Sequence, residues 1–208
     1  MPILSLLPMR RALPTDPRHT PRLELRPFKR RDLDAVVEAI ESSIDDLELW
    51  LPWANRSYGR AETNRFLRES AAAWSEGRAF DLAIRSRVDP ETHLGNISVW
   101  PTSRRERTGE IGYWIRSTAT GQGIATEATA RVAEVSFDEL ELHRVTLRIA
   151  IGNRASERVA EKLGFTKEGL LRKEVLVRGH WMDHSLWAML DEEFRVARDR
   201  WREEKWLE

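Results

Sequence analysis

The stretch Gly109-Glu-Ile-Gly-Tyr-Trp-Ile-Arg-Ser-Thr-Ala-Thr-Gly-Gln-Gly-Ile-Ala-Thr-Glu-Ala128 decides the fold, because it reads as a strand, a glycine loop and a helix start in immediate succession. Gly121 and Gly123 have no side chain to fend off a ligand. The backbone N–H groups of Gly121, Gln122, Gly123, Ile124 and Ala125 can therefore converge on an anion at the positive end of the helix that follows. That is a phosphate cradle. It lacks the third glycine of a dinucleotide fingerprint and the Gly-Lys-Ser/Thr of a P-loop, so neither of those sites is indicated.

Working outward, Leu23, Leu25 and Pro27 alternate with Arg22, Glu24 and Arg26, which predicts a short strand with one buried face. Asp32 is expected to cap a helix in which Leu33, Val36, Val37 and Ile40 recur to about Ile44. A second helix over 62–74, with Phe66 and Leu67 among its apolar positions, ends at Gly77, and the two helices form a flap. Strands over 80–84, 94–100 and 110–115 make an antiparallel meander. After the loop, a helix over 124–139 carries Ala128, Val132 and Val135 on one side, and a strand over 144–149 completes a right-handed crossover. A helix over 155–163 stops at Gly164, and strands over 169–177 and 182–189 finish the sheet. The fold class is α/β: one mixed, mostly antiparallel sheet with helices on both faces.

The chain has 208 residues, enough for one domain with a substantial core, expected over 21–190. Residues 1–20 hold four prolines and several arginines and are read as a flexible arm. Residues 191–208 form a charged helix with Phe194, Ala197 and Trp201 along one face, packed on the domain or at a homodimer contact. Thirty-four basic residues balance thirty-four acidic ones, so no net field draws the chain to nucleic acid or an anionic membrane. The absence of cysteine excludes disulfides, a thiol nucleophile and thiolate metal ligands. The apolar run at 3–7 is too short for a signal core or a membrane span, and a cytoplasmic location is expected. His180 and His184 are four apart, but Gly179 and the local pattern indicate turn and strand, so no metal site is expected. Most of the nine tryptophans are assigned to packing; Trp50 and Trp53, flanking Leu51-Pro52 between the flap helices, are the exceptions.

The loop and its surroundings resemble the GNAT acyltransferase superfamily, whose members hold the pyrophosphate of acetyl-coenzyme A on an Arg/Gln-x-x-Gly-x-Gly/Ala loop. Thr120 stands where that pattern has Arg or Gln, which removes one side-chain donor and leaves the backbone amides. Glu110-Ile-Gly-Tyr-Trp-Ile115, Ala125-Thr-Glu-Ala128, Leu142-His-Arg-Val145, Asn153-Arg-Ala-Ser156, Glu161-Lys-Leu-Gly-Phe165 and Glu168-Gly169 are similar to the RimJ/RimL branch, the ribosomal-protein N-terminal acetyltransferases and their relatives. The resemblance covers roughly 21–190.

It implies a splayed strand pair at the cofactor site and an acetyl-CoA contact surface made of Tyr113, Trp114, Ile115, Thr120, Gly121, Gln122, Gly123, Ile124, Ala125, Thr126, Asn153 and Ser156. A strand N–H near Trp114 or Ile115 would donate to the thioester carbonyl, a contribution of about 3 kcal/mol to the transition state. Glu110 is the first candidate for general base, against the alternative of a strand-end carboxylate paired with Arg104 or Arg105; Glu174 is the reserve. The tyrosine that many members use as general acid is replaced by Ala160, and Ser156 stands in for it, against the alternative of a hydroxyl satisfying a helix-start N–H. Asn153 contacts the pantetheine or caps its helix.

The activity implied is N-acetyl transfer to a primary amine by direct attack in a ternary complex, with a protein or peptide N-terminal α-amine as the favoured acceptor. Asp45, Asp46 and Glu48, beside Trp50 and Trp53, would guide it. With the first helix ending near Ile44, those carboxylates would sit at its negative end at a cost of up to about 1 kcal/mol each. A polyamine or aminoglycoside-like acceptor, or a non-catalytic acyl-CoA sensor, are the alternatives.

Overall fold

In the computed structural model, which describes residues 12–208, the chain builds β1 (Arg18–His19), β2 (Leu23–Pro27), α1 (Leu33–Glu41), α2 (Ile44–Leu47) and α3 (Arg60–Glu76) before the central strands begin. These are β3 (Phe80–Ser86), β4 (His93–Ser103) and β5 (Thr108–Ile115), followed by α4 (Ile124–Glu134), β6 (Arg144–Ala150), α5 (Arg154–Leu163), β7 (Thr166–Val177), β8 (His180–Leu190) and α6 (Asp191–Glu203). The strands form one sheet in the order β1-β2-β3-β4-β5-β6-β8-β7. Every neighbouring pair is antiparallel except β5 and β6, which the α4 crossover joins in parallel.

Successive residues of a strand face opposite sides, and β5 shows what that does here. Ile111 joins the larger core, with Ala128 and Val132 of α4, Leu163 of α5 and Trp201 of α6. Trp114 joins a second cluster with Val36, Ile40 and Leu47, under the flap. The donor-side helices and the flap thus occupy opposite faces of the sheet.

The first helix is shorter than its apolar periodicity predicts. Ser42 and Ser43 interrupt it: the Ser42 hydroxyl donates to Ala39 O (3.2 Å) and the Ser43 N–H to Ile40 O (3.0 Å). Serine side chains compete with the helix for backbone groups, which breaks the run. As a result Asp45 and Asp46 lie in the first turn of α2 and not at a helix C-terminus, so the expected electrostatic cost does not arise.

Asp32 also departs from expectation. Its carboxylate makes no capping bond to α1; it accepts from Arg26 Nη1 (2.7 Å) and Nη2 (2.9 Å), from Arg85 Nη2 (2.9 Å) and, at the start of the short turn before α1, from the Lys29 N–H (2.7 Å). Burial works to raise this carboxyl, but the bonds from Arg26 and Lys29 and the charges of Arg26 and Arg85 hold it below its ordinary range.

Beyond α4 the helix continues over 135–139 as a wider turn, with the Leu140 N–H reaching back to Val135 O (3.0 Å). Of the N-terminal arm, residues 1–11 lie outside the described residues. The remainder is tied down: Leu13 is buried, its carbonyl accepts from Trp74 Nε1 (2.9 Å), and Arg18 bonds Glu139 (3.0 Å). In α6, Phe194 and Trp201 are buried in the core, Phe194 stacked on Phe137, while Ala197 is half-buried. Among the described residues no helix is long and apolar enough to cross a membrane.

Candidate active site at the splayed strands

The sheet opens where its parallel pair ends. β5 and β6 pair only at Thr108–Arg144, Gly109–Val145 and Glu110–Thr146, whereas β4 follows β5 to Ile115 and β8 follows β6 to Ala150. Past Glu110, therefore, each of the two strands has one unpaired edge. The Arg116 N–H bonds Leu94 O on the β4 side (2.9 Å), so strand alternation turns the N–H groups of Ile115 and Tyr113 into the gap. Of the two residues expected to offer a donor there, Ile115 has the right direction and Trp114 faces β4.

A single turn over 117–119 carries the chain from β5 into the glycine loop. Gly121 and Gly123 adopt φ of 74° and 78°, a region that side chains disfavour. The Thr120 hydroxyl is spent within the turn on Ser117 O (2.8 Å), and the Gln122 side chain folds back onto Thr118 O (3.0 Å). The loop is braced from the far end of the sheet by Arg22. Its Nε bonds the fully buried Glu127 (2.6 Å) and its Nη1 bonds Gln122 O (3.0 Å). A Cβ on Gly123 would stand 3.4 Å from this guanidinium. Arg22 and Glu127 are far apart in the chain, and no local pattern announces their pairing.

Two cavities meet at the gap. One of about 440 Å³ is lined by Thr120, Gly121, Gly123, Ile124, Ala125 and Thr126 of the loop and α4, by Asn153 and Ser156 of α5, and by Tyr113, Trp114 and Ile115. Arg158 and Lys162, one turn apart on α5, add positive charge to the same wall. The second, about 300 Å³, holds Glu110, Arg148 and His184 and shares Trp50, Tyr113, Asn153 and Ser156 with the first. Trp100 walls it by lying across Gly112, where a Cβ would come within 2.8 Å of the indole. A further recess of about 410 Å³ under the flap contains Trp53, Tyr58 and Trp114.

The α5 start settles which side chain caps the helix. Asn153 Oδ1 accepts from the Ser156 N–H (3.1 Å), so Asn153 does the capping and the Ser156 hydroxyl is free of that task. Beside it the Tyr113 hydroxyl is buried without a well-formed hydrogen bond. Burial pushes this hydroxyl up to about 12, with the neighbouring Ser156 pulling weakly the other way, so it keeps its proton through neutral pH. Sequence reading placed Tyr113 only as a contact surface.

Glu110 is buried, and its partner is neither Arg104 nor Arg105 but Arg148, whose Nε lies 2.9 and 2.8 Å from its two oxygens. Burial raises the Glu110 carboxyl above its ordinary value against the pull of Arg148, and the charge of Glu174 adds to the rise. The same guanidinium holds Glu174 through Nη1 (2.8 Å), so one arginine joins both carboxylates. Arg148 was absent from the sequence-based site because nothing in its strand distinguishes it from a solvated arginine.

The acidic segment is not gathered at the second cavity. Asp45 pairs with Arg56 (2.7 Å) in solvent, Glu48 is buried against Arg178 (3.0 Å), and Asp46 accepts from the Ser117 hydroxyl on the wall of the first cavity. Trp50 lines the two cavities that meet at the gap, and Trp53 only the flap recess.

Residues 22–166 match the Acetyltransferase (GNAT) domain family, and the chain belongs to it. It is 38% identical over 173 residues to YdaF of Bacillus subtilis, provisionally named a ribosomal N-acetyltransferase, covering 83% of this chain and 93% of that one. It is 30% identical over 168 residues to the ribosomal-protein-serine acetyltransferase of Escherichia coli, covering 81% and 92%. Mycobacterium smegmatis RimJ, solved in complex with CoA-disulfide, superposes with a TM-score of 0.80 at 28% identity, over 91% of this chain and 94% of that one. The chain is thus an N-acetyltransferase.

Proposed function

We propose that the chain moves the acetyl group of acetyl-CoA to the N-terminal α-amine of a protein or peptide, by direct attack in a ternary complex. The observation that carries this reading is the gap between β5 and β6, which joins a glycine-loop cavity at the start of α4 to a second cavity holding buried carboxylate and imidazole groups. The names of YdaF and the E. coli relative support a ribosomal-protein acceptor.

In this reading the N–H groups from Gly121 to Ala125 receive the pyrophosphate. Arg158 and Lys162 supply the cationic charge for the remaining phosphate, and Arg22, bracing the loop, offsets the donor that Thr120 lacks. The Ile115 N–H meets the thioester carbonyl and stabilises the oxyanion as it forms. The free Ser156 hydroxyl, with Tyr113 behind it, protonates the departing thiolate. Glu110 draws the ammonium form of the acceptor into the second cavity, with both its oxygens engaged by Arg148.

An α-amine suits this site because its pKa of about 8 leaves a fair share neutral near pH 7.5, whereas a lysine near 10.4 is neutral about once in a thousand molecules. The test compares kcat/KM for an N-terminal peptide, its N-blocked lysine-containing twin, spermidine and an aminoglycoside. The peptide α-amine should be preferred by at least about tenfold. Preference for spermidine or the drug overturns the acceptor, and CoA binding without turnover on any amine favours a sensor.

A further inference from the structure

We propose that His184, backed by Glu174, takes the proton from the incoming ammonium group in the second cavity; this rests on the acetyl-transfer reading and supplies its base. His184 sits on β8 opposite Ala150 of β6 and Leu171 of β7, 6% exposed, and its ring lines the cavity together with Tyr113 and Ser156. Its Nδ1 is buried and has no hydrogen-bond partner among the described residues. The facing atom is Glu174 Oε2 at 3.8 Å, also buried and also without a partner.

Two unsatisfied polar atoms buried face to face are costly in the resting protein, and the cost falls once the ring gains a proton and the contact becomes an ion pair. An imidazole is rigid, so a ring that turns Nδ1 to Glu174 presents Nε2 on its opposite side, and Nε2 is not among the sealed, unpartnered atoms. With a hydrogen on Nδ1, Nε2 offers a lone pair. The same division of labour, carboxylate to one nitrogen and substrate to the other, makes histidine a base elsewhere.

The other charged groups that face the ring are less suited. Glu110 on β5 has both oxygens on Arg148, Glu174 on β7 has Oε1 on Arg148, and Arg148 on β6 has no lone pair to give. Glu174 Oε2, though unclaimed, is sealed against the ring, so His184 holds the one unclaimed basic nitrogen of this cluster.

The step balances as follows. One N–H proton of the ammonium passes to Nε2 and its electron pair stays on nitrogen. That pair forms the C–N bond at the thioester carbonyl carbon, and the C–S bond breaks. A second nitrogen proton reaches the departing thiolate by way of the Ser156 and Tyr113 hydroxyls, and the imidazolium returns its proton to water.

The experiment measures kcat/KM for the N-terminal peptide from pH 6.5 to 9 in wild type, His184→Gln, Glu174→Gln and Glu110→Gln, with CoA affinity by calorimetry as the check on folding. His184→Gln should lose about tenfold at pH 7, the share of α-amine that is protonated there, with CoA affinity unchanged. The gap to wild type should close to below about threefold near pH 9, where the α-amine arrives neutral without help. Glu174→Gln, which keeps the ring, should show the same closing gap from a smaller loss of about fivefold. A loss that stays constant with pH, or a closing gap in Glu110→Gln but not in His184→Gln, overturns the proposal. Failure of the wild-type protein to acetylate any amine overturns the reading beneath it and the proposal together.

Discussion

Gly123 shows how much can rest on a missing side chain. At φ 78° a β-branched residue is strongly disfavoured, and its Cβ would also meet the Arg22 guanidinium at 3.4 Å. Gly123→Val should weaken CoA binding at least tenfold, about 1.4 kcal/mol by calorimetry, and unchanged affinity in the folded variant would remove the loop from the site. Ser156 and Tyr113 make a second case. Ser156→Ala and Tyr113→Phe should each lower kcat by about 100-fold with CoA affinity retained, and because both act on one proton path the double variant should lose little more than either alone. Additive losses would separate the two hydroxyls. Gly123 and Ser156 were legible because each belongs to a local pattern. The Tyr113 hydroxyl, Arg148 and His184 were not, because what distinguishes them is what faces them across β5, β6, β7 and β8.

At the scale of elements, the helices and central strands followed from periodicity, while their ends followed from side chains that periodicity does not weigh. Asp32 before an apolar run is the ordinary signal of a helix cap, but Arg26 and Arg85 claim its carboxylate, and Arg85 lies fifty-three residues away. All three side chains are buried, so removing this anion leaves Arg85 without a carboxylate partner and Arg26 with Glu24 alone. Asp32→Asn should cost about 3 kcal/mol or more, read as a lower urea midpoint. Its folded pKa lies below its unfolded one, so the stability it contributes is present above about pH 4 and is lost as the pH falls through the folded value. The variant should lack that acid limb; a loss below about 1 kcal/mol would mean the two arginines find other partners.

For the molecule as a whole, the meander and the right-handed crossover were legible in the sequence, since a parallel pair joined through a helix has one allowed hand, whereas the place of β8 between β6 and β7 was not. What the sequence hid was the depth of the opening. The acidic run at 45–48 read as an attractor, yet Asp45 and Glu48 are met by Arg56 and Arg178, and the carboxylate that does line the second cavity, Glu110, comes from a strand.

Because β5 and β6 part company after Glu110, the two cavities meet at a slot in the sheet, and in the proposed ternary complex the donor and the acceptor would touch only there. A single inhibitor that threads this slot, coenzyme A joined by a short thioether-acetyl tether to the amine of a peptide, would hold both halves at once. With a tether matched to the slot, the second half binds at the high local concentration set by the first. The conjugate should exceed either half alone by 100-fold or more, on the order expected of linked ligands, whereas one tether atom too few should forfeit the gain.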